Sequence, residues 1–390
     1  MFAVFTAARK ATLAAVALVS LTILTACEMP STSGGPTIAP GDPVPVALLV
    51  PRGSATPGDA VLAQSLENAA RMAVSDLGNV TVDLRVYDTA GNAATAAAVA
   101  SQAVNDGARI ILGPVYAEAA NAVGNAVKGA GVNVLAFSNN PTIAGGNVFI
   151  LGPTFDNTAN RLAAFAASQG KGNIVAVHGT DLAGSLGRNA IQGAAGRTSA
   201  SLAGSVPYEL SQQGVIAAVP QVRDTVANSG ADSIFLTSTT AGALPLFTQL
   251  LPEAGLSPSE VQYIGLTRWD IPPQTLELPG VQGGWFALPD PVKSNQFRTR
   301  YQSAYGGNPH PIGGLAYDGI AAIGALVGAG QSNALTGAAL TQSAGFQGVG
   351  GIFRLRADGS NERGLAVATI QNKQVVVIDP APSSFSGAGF

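Results

Sequence analysis

From Val44 onward, short β-branched runs alternate with alanine-rich stretches. Val46-Ala47-Leu48-Leu49-Val50 reads as a strand, Pro51-Arg52-Gly53-Ser54 turns the chain, and residues 60–77 carry Leu62, Leu66, Ala69, Ala70 and Ala73 at helical spacing. The pattern continues with a strand over 82–87, a helix over 92–106, a strand over 110–112, a helix over 117–129 and a strand over 132–137. That is one complete doubly wound unit, a parallel sheet with helices on both faces. A second unit starts with a helix over 156–169, a strand over 174–177, helices over 184–195 and 214–228, and a strand over 233–236. The architecture repeats while the sequence does not. The predicted fold is therefore α/β with two doubly wound lobes. In open parallel sheets ligands bind beyond the carboxyl ends of the strands, so the loops after each strand are where chemistry is expected.

The two ends of the chain read differently. Arg9-Lys10 forms a short basic region and Ala11 to Ile23 an apolar one of about thirteen residues, the layout of an export signal. This run is shorter than the roughly 20 apolar residues a membrane-spanning helix needs. It ends in Leu24-Thr25-Ala26-Cys27, which resembles a bacterial lipobox, so Cys27 is expected to be lipidated and to become the first residue of the mature protein. Cys27 is also the only cysteine among 390 residues, which excludes an intrachain disulfide. Residues 27–43, rich in Pro, Gly, Ser and Thr, read as a flexible tether, and residues 380–390 as a disordered tail. The expected location is the periplasmic side of a bacterial membrane, the outer membrane favoured over the inner, with Glu28 leaving the choice open.

Charge and composition narrow the partners. The chain holds 20 basic and 23 acidic residues; loss of residues 1–26 removes Arg9 and Lys10 and leaves a net charge of about −5. No basic patch points to nucleic acid. Two histidines, His178 and His310, without HExxH spacing give a metal hydrolase no ligand set, and neither a Gly-x-Ser-x-Gly elbow nor a Walker loop is present. The expectation is a non-enzymatic protein without metal or cofactor.

Several motifs occur together in order. Asp88-Thr89-Ala90-Gly91-Asn92, Asp106-Gly107-Ala108-Arg109-Ile110-Ile111-Leu112-Gly113-Pro114 and Val132 to Ser138 resemble the first lobe of type I periplasmic binding proteins of the leucine/isoleucine/valine-binding kind. Phe297 to Tyr301, Ala316 to Ile320, and Gly348 to Phe353 with Asp358-Gly359 resemble the helices and closing hairpin of the same family. The resemblance implies two Rossmann-like lobes joined by a three-strand hinge, the first made of 44–152 plus 288–342 and the second of 153–287 plus 343–379. It implies binding of a small solute, amino-acid-like or cell-wall-derived, in the interlobe cleft, for an ABC transporter. Gly113 to Tyr116, Leu135 to Asn140 and Gly146 to Pro153 look closer to penicillin-binding protein activators, which implies the alternative of a module touching a peptidoglycan synthase.

In amino-acid-binding members the loop after the third strand offers a serine to the ligand carboxylate. Here that loop reads Val115-Tyr116-Ala117-Glu118, and only Ser138 in the next loop keeps the pattern. The candidate ligand-binding residues are Arg52, Tyr116, Ser138, Asn139, His178, Thr239 and Trp269. Arg52 either pairs with an anionic group or lies at the surface; Tyr116 either lines the cleft or packs at a helix start. Ser138 and Asn139 are placed to reach the cleft. His178 either faces it from the second lobe or is a satisfied structural residue. Thr239 and Trp269 end later strands. Asp156-Asn157 reads as a helix cap.

Overall fold

The computed structural model describes residues 36–39 and 41–385. Cys27, the export signal and most of the tether lie outside the described residues.

The first lobe is built on five strands, β1 (Val44–Val50), β2 (Val82–Asp88), β3 (Ile110–Leu112), β4 (Asn133–Ala136) and β5 (Val148–Ile150), all parallel in the order β2-β1-β3-β4-β5. The helices between them are α1 (Asp59–Asp76), α2 (Ala93–Asn105) and α3 (Ala117–Val127). Because successive side chains of a strand point to opposite faces, the sheet feeds two cores. Val46, Leu48 and Val50 of β1, with Ile110, Leu112 and Leu135, face α1. Ala47, Leu49, Ile111, Val134 and Ala136 face α2 and α3, which answer with Ala96, Ala100, Ala103, Ala119 and Ala120. Alanine on both helices allows close approach to the sheet, and Gly124 on α3 is demanded there, since a Cβ would stand 2.3 Å from Val148 Cγ2.

The second lobe follows through α4 (Phe155–Ser168), β6 (Asn173–Gly179), α5 (Leu182–Arg197), β7 (Ser201–Tyr208), α6 (Gln212–Ser229), β8 (Ser233–Leu236), α7 (Leu244–Glu253), β9 (Gln262–Gly265) and β10 (Trp285–Pro289). The cap expected at Asp156-Asn157 is a capping box in which Thr154 and Asn157 satisfy each other's backbone. The chain returns through α8 (Pro291–Tyr305), α9 (Gly314–Gly328) and α10 (Gly337–Leu340), of which α8 and α9 supply Phe297, Tyr301, Leu315 and Ile320 to the core facing α1. A small antiparallel sheet, β11 (Phe346–Gly348), β12 (Gly351–Leu355) and β13 (Asn361–Arg363), leads to β14 (Leu365–Gln371) and β15 (Gln374–Asp379). These last two extend the second sheet antiparallel, giving the order β15-β14-β10-β9-β8-β6-β7.

Three expectations need correction. Residues 343–379 were expected wholly in the second lobe, yet Phe346, Phe353 and Leu355 pack into the core of the first; only from β14 does the chain belong to the second. The tether expectation fails at Ile38, which is 6% exposed, joins the first core and donates its N–H to Ser332 O at 2.9 Å. The tail is ordered through Phe385, whose ring lies 4.5 Å under the Arg354 guanidinium, while Ala381 packs on the second core. Single apolar residues in a polar, glycine-rich context find partners that no local pattern reveals. No helix among the described residues is long and apolar enough to cross a membrane.

Candidate functional site in the interlobe cleft

β5 passes to α4 through residues 151–154 and β10 passes to α8 through Asp290, both at their carboxyl ends. The third crossing runs from β13 through Gly364 to β14. Since β1, β3 and β4 run parallel to β5, and β6, β8 and β9 run parallel to β10, the carboxyl edges of both sheets border the same gap.

A buried polar network ties the three crossings. Arg363 donates from Nε to Leu151 O at 3.0 Å and from Nη2 to the same oxygen at 2.5 Å, and its Nη1 lies 3.1 Å from Asp318 Oδ2. Asp318, on α9, also accepts from Val349 N at 2.8 Å. Burial pushes its carboxyl above the ordinary value, against the opposing pull of Arg363. A Cβ at Gly348 would come within 2.5 Å of Asp318 Oδ1, so glycine is what lets β11 lie on the pair. Asn361 donates to Ile150 O at 2.8 Å and to Gly152 O at 2.9 Å, and Asp290 N donates to Gly350 O at 2.8 Å. Each crossing is thus held to another through hydrogen bonds.

Beside this network a cavity of about 500 Å³ opens between the lobes. Its second-lobe wall is Arg268, Asp270 and Ile271 after β9, with Leu288 at the end of β10; its first-lobe wall is Phe297 of α8, His310 and Ile312 of the following loop, and Leu315 of α9. Asp318 and Arg363 complete it. The size falls within the roughly 300–1,000 Å³ range of small-molecule sites. Arg268 and Asp270 form a two-point ion pair, Nε to Oδ1 at 2.6 Å together with Nη2 to Oδ2. His310 is fixed by its backbone N–H, which donates to Ser65 Oγ at 2.8 Å, and burial lowers its imidazole below the ordinary value, favouring the neutral ring.

The seven sequence candidates occupy the surrounding edges but do not line this cavity. Arg52 after β1 is engaged by Glu67 at 2.6 Å and Asp88 at 3.1 Å. Tyr116 after β3 is partly exposed and donates to Asp59 Oδ1 at 2.5 Å; burial and that carboxylate push its hydroxyl up to about 12. Ser138 is buried, its Oγ accepting from Asn140 N at 3.2 Å, so it shapes its own turn while Asn139 is exposed. His178 ends β6 half-buried, Nδ1 3.0 Å from Gly179 O. Thr239 is exposed after β8, its carbonyl accepting from Gly242 N and Leu244 N. Trp269 is a correction. It is fully buried in the second core, packed so closely that a Cβ on Gly265 or Gly284 would lie 2.2 Å from its ring. Its neighbours Arg268 and Asp270 face the cavity instead. The candidates did not include the Pro309–Ile312 loop or α8; the loop's only sequence signal is the isolated His310 between prolines, while Phe297 to Tyr301 marked α8 as a helix of the family and not as part of a site.

Apolar side chains stand exposed on both edges: Val61 in the first turn of α1, and Leu182, Leu210 and Ile271 after β6, β7 and β9. Such residues at the mouth of a gap favour its narrowing, because apolar area removed from water contributes about 25 cal/mol per Å².

The same fold is found in solved structures. A branched-chain amino acid ABC transporter periplasmic ligand-binding protein from Burkholderia xenovorans is 17% identical, with 88% of this chain and 97% of that one covered, at a TM-score of 0.67. An ABC transporter substrate-binding protein from Sphaerobacter thermophilus is 17% identical over 88% of this chain and 98% of its own, at 0.65. One from Desulfitobacterium hafniense, in complex with Leu, is 17% identical over 86% of this chain and 100% of its own, at 0.61. At these identities the likeness establishes the fold. No curated protein sequence is significantly similar to this chain. The family described as periplasmic binding protein matches residues 43–374, nearly the whole of the described fold, and the chain belongs to that family.

Proposed function

We propose that this protein is a non-enzymatic, extracytoplasmic receptor that binds a small solute between its lobes and presents it to an ABC transporter, while a lipid on Cys27 holds it to the membrane. The observation that carries the reading is the cavity whose walls come from both lobes, so that a ligand touching both favours the closed arrangement. The names of the structural neighbours, which describe ABC transporter binding proteins, support the transport role. Small-angle scattering of the purified chain, with and without a panel of candidate solutes, is the test: binding reduces the radius of gyration and raises the melting temperature. A panel that produces neither change counts against solute binding. The anchor rests on the sequence Leu24-Thr25-Ala26-Cys27 and is tested by labelled palmitate, which should enter the wild type and not Cys27→Ser. Equal labelling of both removes it. The alternative of a module on a peptidoglycan synthase rests on sequence motifs alone, and recovery of a synthase by pull-down from membranes would favour it.

A further inference from the structure

The charges on the cavity wall are unequally committed. Asp270 is held by Arg268, and Asp318 by Arg363 and Val349 N. Among the described residues these are the only carboxylates lining the cavity, and both are already paired. Asp59, whose charge acts on His310, has an oxygen without a hydrogen-bond partner, but that oxygen is sealed from solvent and Asp59 does not line the cavity. Among the cations of the wall the position is reversed. Arg298, on the exposed face of α8, lines the cavity and pairs with no carboxylate among the described residues, whereas Arg268 and Arg363 each have one. Burial lowers the other titratable group, His310, below the ordinary imidazole value, which disfavours a charge there. The remaining polar lining is Ser294 and Asn295, which are uncharged. Between these groups the wall is apolar, with Ile271, Leu288, Phe297, Ile312, Leu315 and Leu365.

An ammonium group brought into this space loses its water and finds no free carboxylate, which is costly in an apolar setting. A carboxylate finds a guanidinium whose fork geometry suits it and which no other group occupies. We propose that the cavity takes an apolar monocarboxylate that lacks an α-ammonium group, its carboxylate paired with Arg298 and its hydrocarbon part against Phe297, Leu288 and Leu315. This rests on the solute-binding reading and deepens it, by setting the ligand apart from a zwitterionic amino acid of the same carbon skeleton.

The test uses matched compounds on the purified full chain by calorimetry: 4-methylpentanoate and 3-phenylpropanoate, the corresponding α-amino acids leucine and phenylalanine, and the two corresponding amides. At least one acid should bind about tenfold more tightly than both its amino acid and its amide, the scale of one charge-assisted contact. Arg298→Gln should erase the difference between acid and amide while leaving the melting temperature of the unliganded protein unchanged, because Arg298 is exposed and unpaired. If an amino acid binds as tightly as its acid or more so, the proposed class is overturned although solute binding stands. Retention of the acid preference in Arg298→Gln overturns the role of that residue. If none of the six binds while another solute still compacts the protein, the class is wrong; if nothing compacts it, the solute-binding reading falls as well.

Discussion

Arg363 is a residue whose importance is set by its surroundings rather than by its type. It satisfies Leu151 O at the first crossing and Asp318 on α9, and both it and Asp318 are almost fully withdrawn from water. Removing one member of a buried pair leaves the other charge without compensation, which costs about 3–5 kcal/mol. Arg363→Ala should therefore lose stability on that scale in urea denaturation, whereas loss of an exposed pair such as Lys373 with Glu277 should cost under about 1 kcal/mol. A loss of less than about 1 kcal/mol for Arg363→Ala would show that the network does not hold the crossings. In sequence, Arg363 looks like any arginine next to a glycine. Trp269 shows the converse: its type and its place after a strand point to a cleft, yet its ring fills the second core and its neighbours take the cleft position.

At the scale of elements, the strongly periodic helices and the β-branched strands lie close to where the pattern puts them. The helix read over 60–77 is α1 at Asp59–Asp76, and the strand over 110–112 is β3. The strands that local pattern does not reveal are β5, with three residues, and β7, β9 and β10. β7 contains Gly204 and Pro207, which mask strand character, and it tolerates the proline because it is the edge of its sheet. The fit of α3 on β5 depends on one missing methyl group. Gly124→Ala should cost about 1–3 kcal/mol through overpacking against Val148, and adding Val148→Ala should recover part of that loss. Strictly additive losses in thermal denaturation would refute this contact as the cause.

For the molecule as a whole, three crossings join two separately packed cores, and Val61, Leu182, Leu210 and Ile271 stand exposed, apolar area that closure of the gap would take from water. The proposed closure on a ligand is what the scattering experiment reads. The packing of Ile38 at the entry of the first lobe and of Phe385 on Arg354 shows that the ends of the described chain are part of the fold rather than appendages.

By itself the sequence determined what depends on neighbours along the chain: the alternation of strand and helix, the doubly wound class, the order of motifs that leads to the periplasmic binding protein family, and the carboxyl-edge loops as the place to look. Periodicity is a local property, so it survives without coordinates. Only the tertiary structure decided which of those loops face a cavity, that Arg268 and Asp270 neutralise each other, that Asp318 and Arg363 meet across 45 positions, and that Arg298 pairs with no carboxylate among the described residues. Those facts concern residues brought together by the crossings, and pairing between distant positions leaves no periodic trace in a single chain.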